Sequence, residues 1–203
     1  MSLTLLDWRR QVAALYARVR GASSPADGHA HWQTGRDELF AQHPESPIPI
    51  DRRAEFAGLS YAPYDPELRF SCQLEAAKGR QHWQVMTGTD GLVSFELAGA
   101  IALPGYGSLA AWWLSGYGGG LFIPFSDPSP RSYGGGRYLI DTAKGADLGG
   151  SFDRHSGSAS LVIDLNFAYN PSCAYDPRWA CPLAPAMNRL PVPVIAGELT
   201  FNR

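Results

Sequence analysis

The sequence predicts a mainly β protein, an antiparallel β-barrel or sandwich-like domain with two N-terminal α-helices packed against it. Three observations carry that expectation. From residue 49 onward the apolar residues recur in short runs with a period of two, the signature of half-buried strands. Turn signals separate the runs (Lys78-Gly79, Asp90-Gly91, Pro104-Gly105, Gly118-Gly119-Gly120, Lys144-Gly145 and Gly149-Gly150), and no helical pattern lies between them. Hairpin connections and antiparallel pairing follow. Gly and Pro supply 22 and 16 of the 203 residues, aromatics 12% and charged residues only 18%. That balance excludes a disordered chain and argues against a coiled coil or helical bundle.

The elements follow in order. Trp8, Val12, Leu15, Tyr16 and Val19 form one stripe at helical spacing. Thr4 with Asp7 resembles a capping box at its start, and Gly21 supplies a stop. A polar linker over 21–28 leads to a second helix over 29–42, with Trp32, Leu39 and Phe40 on its buried side and Pro44 ending it. His43 is expected to cap that helix's C-terminus, where a cation is favoured. Strands are predicted over 69–74, 83–87, 92–97, 100–103, 110–115, 121–125, 137–141, 160–169 and 192–200. No repeat or long linker divides the chain, so residues 1–203 are expected to form a single domain, helical over 1–48 and β over 49–203.

A net charge of −2 gives no electrostatic footprint for nucleic acid. Charges at positions 7, 9 and 10 leave no room for the apolar core of a secretory signal. Three cysteines are too few and too odd a number for a secreted disulfide framework, so a cytoplasmic protein is expected. Residues 97–126 carry no formal charge, but seven glycines and two prolines there speak for buried strands and turns rather than a membrane span.

Four blocks carry a family resemblance. They are Trp32-x3-Arg36-Asp37-x2-Phe40-x2-His43-Pro44-x-Ser46-Pro47; Phe56-x-Gly58-Leu59-x-Tyr61 with Asp65-Pro66-x-Leu68-Arg69-Phe70; Gly120-Leu121-Phe122-Ile123-Pro124-Phe125-x-Asp127 with Tyr133-Gly134-Gly135-Gly136-Arg137-Tyr138-Leu139; and Asp164-x-Asn166-x-Ala168-Tyr169-Asn170-Pro171-x-Cys173-Ala174-Tyr175, followed by Cys181-Pro182-Leu183, Asn188-Arg189-Leu190-Pro191 and Ala196-Gly197-Glu198. Together they resemble a widespread prokaryotic family of about 200 residues classed as a domain of unknown function. Leu165 and Met187 depart from the family pattern. The resemblance implies an identity and no activity.

Candidate sites therefore rest on chemistry. Alternation along 161–169 puts Asp164 and Asn166 on one strand face, where they would orient a ligand if that face lined a barrel. Tyr133-Gly134-Gly135-Gly136-Arg137 invites an anion-binding turn, with backbone N–H groups and a guanidinium converging. The plainer alternative pairs Arg137 with an acid such as Asp127. The expected ligand anchors are Arg137, Asp164, Asn166, Tyr169, Asn188 and Arg189, with Asp127 and Glu198 behind them, holding a small, partly aromatic or anionic molecule in a β-barrel pocket.

Two rival readings stand beside this one. In the first, the protein is an enzyme with Cys173 as nucleophile, or with Tyr133 and Asp164 as acid and base. Cys173 needs a base and an electropositive setting, for which His155 beside Arg154, and Arg178, are the neighbours in sequence. In the second, the motifs serve packing or interaction alone. Cys173 and Cys181, eight apart, fit neither zinc spacing nor a redox Cys-x-x-Cys, and no histidine pair has ligand spacing. Neither a metal nor a particular cofactor is indicated. Gly105-Tyr106-Gly107-Ser108-Leu109-Ala110 lacks the βαβ setting of a dinucleotide fingerprint, and no Gly-x-Ser-x-Gly elbow occurs.

Overall fold

The computed structural model describes residues 3–88 and 90–201. The helices are α1 (Leu3–Arg20) and α2 (Pro25–Gln42). The α1 stripe buries Leu15, Tyr16 and Val19 against Trp32, Leu39 and Phe40 of α2. The Trp32 indole N–H donates to the Tyr16 hydroxyl across the pair at 3.2 Å. α2 starts earlier than its periodicity suggests because Ser24 caps it, accepting from the Asp27 N–H, and Pro25 occupies the first turn.

Eight strands follow: β1 (Arg69–Ala76), β2 (His82–Thr87), β3 (Gly91–Leu103), β4 (Gly107–Leu114), β5 (Leu121–Phe125), β6 (Arg137–Asp141), β7 (Gly150–Phe152) and β8 (Ala159–Asp164). They form one antiparallel sheet in the order β6-β5-β4-β3-β1-β8-β7, with β2 hanging on β3. The sheet curls into a half-barrel and the two helices pack against it. Its enclosed face is filled by alternate residues of many strands, among them Cys72, Ile101, Leu103, Leu109, Ile123, Phe125, Leu139 and Ile163, plugged by Leu190, Val194 and Ala196 from the C-terminal segment. The other face carries an aromatic row: Trp83 stacks on Phe95 (centroids 4.8 Å), Phe122 meets Tyr138 (4.8 Å), and Tyr138 meets Tyr169 (5.6 Å). No described helix is long and apolar enough to cross a membrane.

The departures from expectation have physical reasons. The runs 92–97 and 100–103 are one strand, bulged between Leu97 and Gly99. A Cβ on Gly99 would lie 2.2 Å from the Glu75 carbonyl oxygen, so only glycine lets β1 and β3 approach. The strand expected over 160–169 stops at Asp164, whose carboxylate accepts from the Asn166 N–H (3.0 Å) and caps the 3₁₀ turn Leu165–Phe167. The expected alternation ends there. Residues 192–200 make no strand ladder: Glu198 forms an isolated bridge to Tyr61, Gly197 and Leu199 bond the backbone of Ala62 and Ser60, and a side chain, Arg137, takes the carbonyls of Val194, Ala196 and Glu198. β7 falls where Gly149-Gly150 reads as a turn. Thr4 does not cap α1. It lies inside the helix and donates to Glu45, while Asp7 accepts from Gln11 (2.7 Å). His43 is the C-cap of α2 as expected, its backbone N–H donating to the Leu39 carbonyl (3.0 Å), while its ring reaches Asp7 (3.2 Å).

His29 on α2 is buried against Trp32, Tyr64 and Phe167, and its Nε2–H donates to the Asn166 carbonyl at 3.0 Å. Burial holds its pKa below the ordinary 6.5, outweighing the carbonyl contact. The unfolded chain therefore takes the proton first. His29 leaves stability intact above about pH 6.5 and erodes it as the pH falls through the depressed folded value. Urea midpoints measured between about pH 7 and pH 5 are expected to drop less for His29→Gln than for the wild type. Equal slopes would remove His29 from the pH dependence.

Candidate functional site

Most of the polar residues singled out from the sequence are engaged by the chain itself. Arg137 is fully buried. Its Nη2 donates to Asp127 Oδ2 and to the Val194 carbonyl, both at 2.9 Å, and its Nη1 to the carbonyls of Ala196 and Glu198. The carbonyls of Val194, Ala196 and Glu198 converge on it, so one guanidinium supplies donors that a neighbouring strand would otherwise give.

Asn188 does similar work between β4 and β5. Its Nδ2 donates to the Ala110 and Pro124 carbonyls (2.8 and 2.7 Å), and its Oδ1 accepts from the Trp112 indole (3.1 Å). The ladder is interrupted where Pro124 has no N–H to offer. Asp164 binds Arg69 (3.1 Å) and Asn166, while Asn166 exchanges two hydrogen bonds with the Asp65 backbone (2.9 and 2.7 Å). Tyr169 pairs its backbone with Tyr138 and places its ring on the Arg36 guanidinium (5.1 Å). Arg189 is exposed at an isolated bridge to Ser126.

Glu198 anchors a cluster that the sequence did not reveal. Fully buried, it accepts from the Asn170 N–H and Nδ2 (both 3.1 Å), from the Tyr175 hydroxyl and from Arg36 (2.7 Å). The Arg36 motif position was legible, but its pairing with a residue 162 positions away was not.

One constellation combines reactivity with access. Cys173 lies on the 3₁₀ turn Ser172–Ala174, which is pinned by Ala174 and by Tyr175, whose ring meets Phe40 at 5.0 Å. Cys181 is fixed from the other side. The Gly88 N–H donates to the Ala180 carbonyl (3.1 Å), and the Tyr138 hydroxyl to the Pro182 carbonyl (2.8 Å). The two side chains meet, with the Cys181 thiol hydrogen-bonded to Cys173 Sγ. Tyr133 completes the group, its hydroxyl donating to Cys173 Sγ at 3.7 Å.

The glycines after Tyr133 make that approach possible. The Gly136 N–H closes a turn on the Tyr133 carbonyl at 2.9 Å with φ +90, a conformation suited to glycine. A Cβ on Gly135 would fall 2.5 Å from the Tyr133 ring. Both cysteines are partly exposed and no disulfide joins them. Cys72, by contrast, is buried, its thiol donates to the Ala102 carbonyl, and burial raises its pKa.

These contacts set the chemistry. The hydrogen bond from Cys181 lowers the Cys173 pKa to about 6, with help from Tyr133 and against the opposing effect of burial. Cys181 moves upward because its proton is shared with Cys173, and Lys144 offsets this only in part. The pair therefore loses its first proton from Cys173 and holds the second tightly. Cys173 and Tyr133, proposed separately from the sequence, are brought together here. Asp164 is not, and His155 stands fully exposed beside Asp153. Among the described residues no group of three or more His, Cys, Asp or Glu could hold a metal.

Fold and site define a class: a helix-backed antiparallel half-barrel carrying a dithiol in a long C-terminal loop. The chain belongs to the family described as protein of unknown function (DUF1684), matched over residues 54–199. It is similar to the solution NMR structure of the uncharacterized protein from gene locus rrnAC0354 of Haloarcula marismortui, with 31% identity and a TM-score of 0.57. The match covers 83% of this chain and 90% of that one. No curated protein matches.

Proposed function

We propose that this is a thiol-active protein that reduces disulfides, with Cys173 as the attacking thiolate and Cys181 as the resolving thiol. The observation that carries the reading is the contact of two accessible thiols with the Tyr133 hydroxyl on the sulfur that ionises first. The Cys173 thiolate attacks one sulfur of a small disulfide. The S–S bond breaks, a mixed disulfide forms, and the first thiolate departs and takes a proton from solvent. The negative charge that held the proton on Cys181 has then gone. Cys181 ionises and attacks Cys173 Sγ, expelling the second thiolate and closing the Cys173–Cys181 disulfide. The substrate gains two electrons from the two sulfurs and two protons, one from Cys181 and one from solvent, and leaves as two thiols. Thiols already in hydrogen-bond contact need only a short movement to reach a bond length of about 2 Å. Of the ligand anchors expected from the sequence, Arg137, Asp164, Asn166 and Asn188 already bind the chain with their side chains, and the enclosed face is packed, which favours this reading over a barrel pocket.

The reagent 4,4′-dithiodipyridine tests the proposal. Near pH 6 about half of Cys173 is thiolate, against well under 1% of an ordinary thiol. Its weaker intrinsic nucleophilicity returns part of that advantage, leaving a rate roughly tenfold above a model thiol. The rate is expected to titrate with a midpoint near the value of about 6 that its neighbours impose. The wild type should release two thiopyridones from the pair, and Cys181→Ser one, with a stable adduct. A midpoint in the ordinary thiol range, or an adduct that persists on the wild type, overturns the proposal.

A further inference from the structure

Beside the thiol loop lies an open cleft of about 390 Å³, between the chain leaving α2 (Pro44, Glu45, Ser46), Gly88 of the β2–β3 turn, and Arg178 with Trp179. The volume is in the range of small-ligand sites. The cleft lies close to the chemistry. Trp179 is two residues from Cys181, so their Cα atoms are at most about 7 Å apart, and the Gly88 wall is bonded to Ala180.

Its polar groups have a pattern. The Arg178 guanidinium stacks on the Trp179 ring (4.9 Å) and gives Nε to Asp176 (2.9 Å). Its terminal nitrogens make no hydrogen bond among the described residues. Trp179 lines the cleft, and its Nε1 is buried with no hydrogen-bond partner among the described residues. The half-buried Glu45, whose carboxylate accepts from Thr4, lines the same cleft.

Resting on the thiol reading above, we infer that this cleft selects the substrate: a small disulfide with amino-acid termini, its carboxylate on Arg178 and the Trp179 N–H and its ammonium toward Glu45. A carboxylate supplies the planar two-oxygen acceptor that a guanidinium fork matches and that an orphaned indole N–H lacks. Glu45 disfavours a purely anionic ligand and Arg178 a purely cationic one, so the opposed charges select a zwitterion. A substrate held there presents its S–S bond toward the loop that carries Cys181 and Cys173.

The experiment compares oxidation of the protein by cystine, by oxidised glutathione and by neutral hydroxyethyl disulfide, reading Cys173–Cys181 disulfide formation by mass after acid quench. For Arg178→Ala, the rate with the two zwitterionic reagents is expected to fall roughly tenfold, the usual weight of a charge-assisted hydrogen bond, with the hydroxyethyl disulfide rate unchanged. Trp179→Phe keeps the ring and removes the N–H, and should lower the zwitterionic rates alone by a smaller factor. If Arg178→Ala and Trp179→Phe slow all three reagents equally, or none, the cleft is not the recognition site. If none of the three reagents, the neutral one included, closes the disulfide in the wild type, the thiol reading itself fails.

Discussion

Glu198→Gln is expected to destabilise the fold by about 3–5 kcal/mol, read as a lower urea midpoint and a melting temperature lower by about 10 °C for a chain of this length. The Glu198 carboxylate is fully buried and faces four donors, and its charge partner Arg36 is only 11% exposed. Trp32, Phe40 and Tyr169 surround the guanidinium at 4.9–5.1 Å. An amide in place of the carboxylate leaves a positive charge among rings with nothing to balance it, and turns an NH₂ toward groups that are themselves donors. The loss is a desolvation cost rather than the worth of the pair. Arg36→Met should therefore cost a similar amount, and the double variant Arg36→Met/Glu198→Leu much less than the sum. Additive losses, or a Glu198→Gln penalty below about 1 kcal/mol, would contradict this account.

Arg137→Met carries the second large effect, and its signature is local. Three carbonyls (Val194, Ala196 and Glu198) and the Asp127 carboxylate lose their donor in a region with almost no solvent access. Each orphaned group costs about 1–3 kcal/mol if it stays buried. The chain escapes part of that by letting water reach the C-terminal segment, so the global cost is expected near 3–5 kcal/mol. Amide exchange and proteolysis should accelerate first between residues 190 and 201. Arg137→Lys keeps the charge but not the planar fork that reaches several acceptors, and should rescue little. Uniform acceleration of exchange across the sheet would argue that Arg137 supports the barrel generally and not this segment.

The sequence exposed those elements whose period is set by burial. The α1 stripe and the strands of the sheet centre were legible because one face of each meets a core. Reading failed where a polar side chain overrode the period. Alternation through Asp164 and Asn166 suggests a continuing strand, but a carboxylate that caps the next turn ends it. The apolar run over 192–200 suggests a strand, but Gly197 turns the chain with φ +68 and the carbonyls of Val194, Ala196 and Glu198 bond the Arg137 side chain. The same residues explain the limits of site reading. Arg137, Asn166 and Asn188 were recognisable as chemically unusual, but their backbone-carbonyl acceptors lie 57 to 101 residues away, as in Val194 for Arg137 or Asp65 for Asn166, which no motif records. Tyr133 and Cys173, 40 residues apart, meet only because glycines let the Tyr133 loop fold back. Glu45, Gly88 and Trp179 come together from three separate segments.

The β2–β3 hairpin gives the thiol pair a mechanical outlet. β2 is hydrogen-bonded to the sheet through β3, with Trp83 packed on Trp112 and Phe122, and the hairpin's turn touches the Cys181 loop through Gly88 and Ala180. A strand supported on one edge is the most compliant part of a sheet. In the proposed reaction, drawing Cys181 toward Cys173 pulls on Ala180 and, through its bond to Gly88, on the tip of that hairpin.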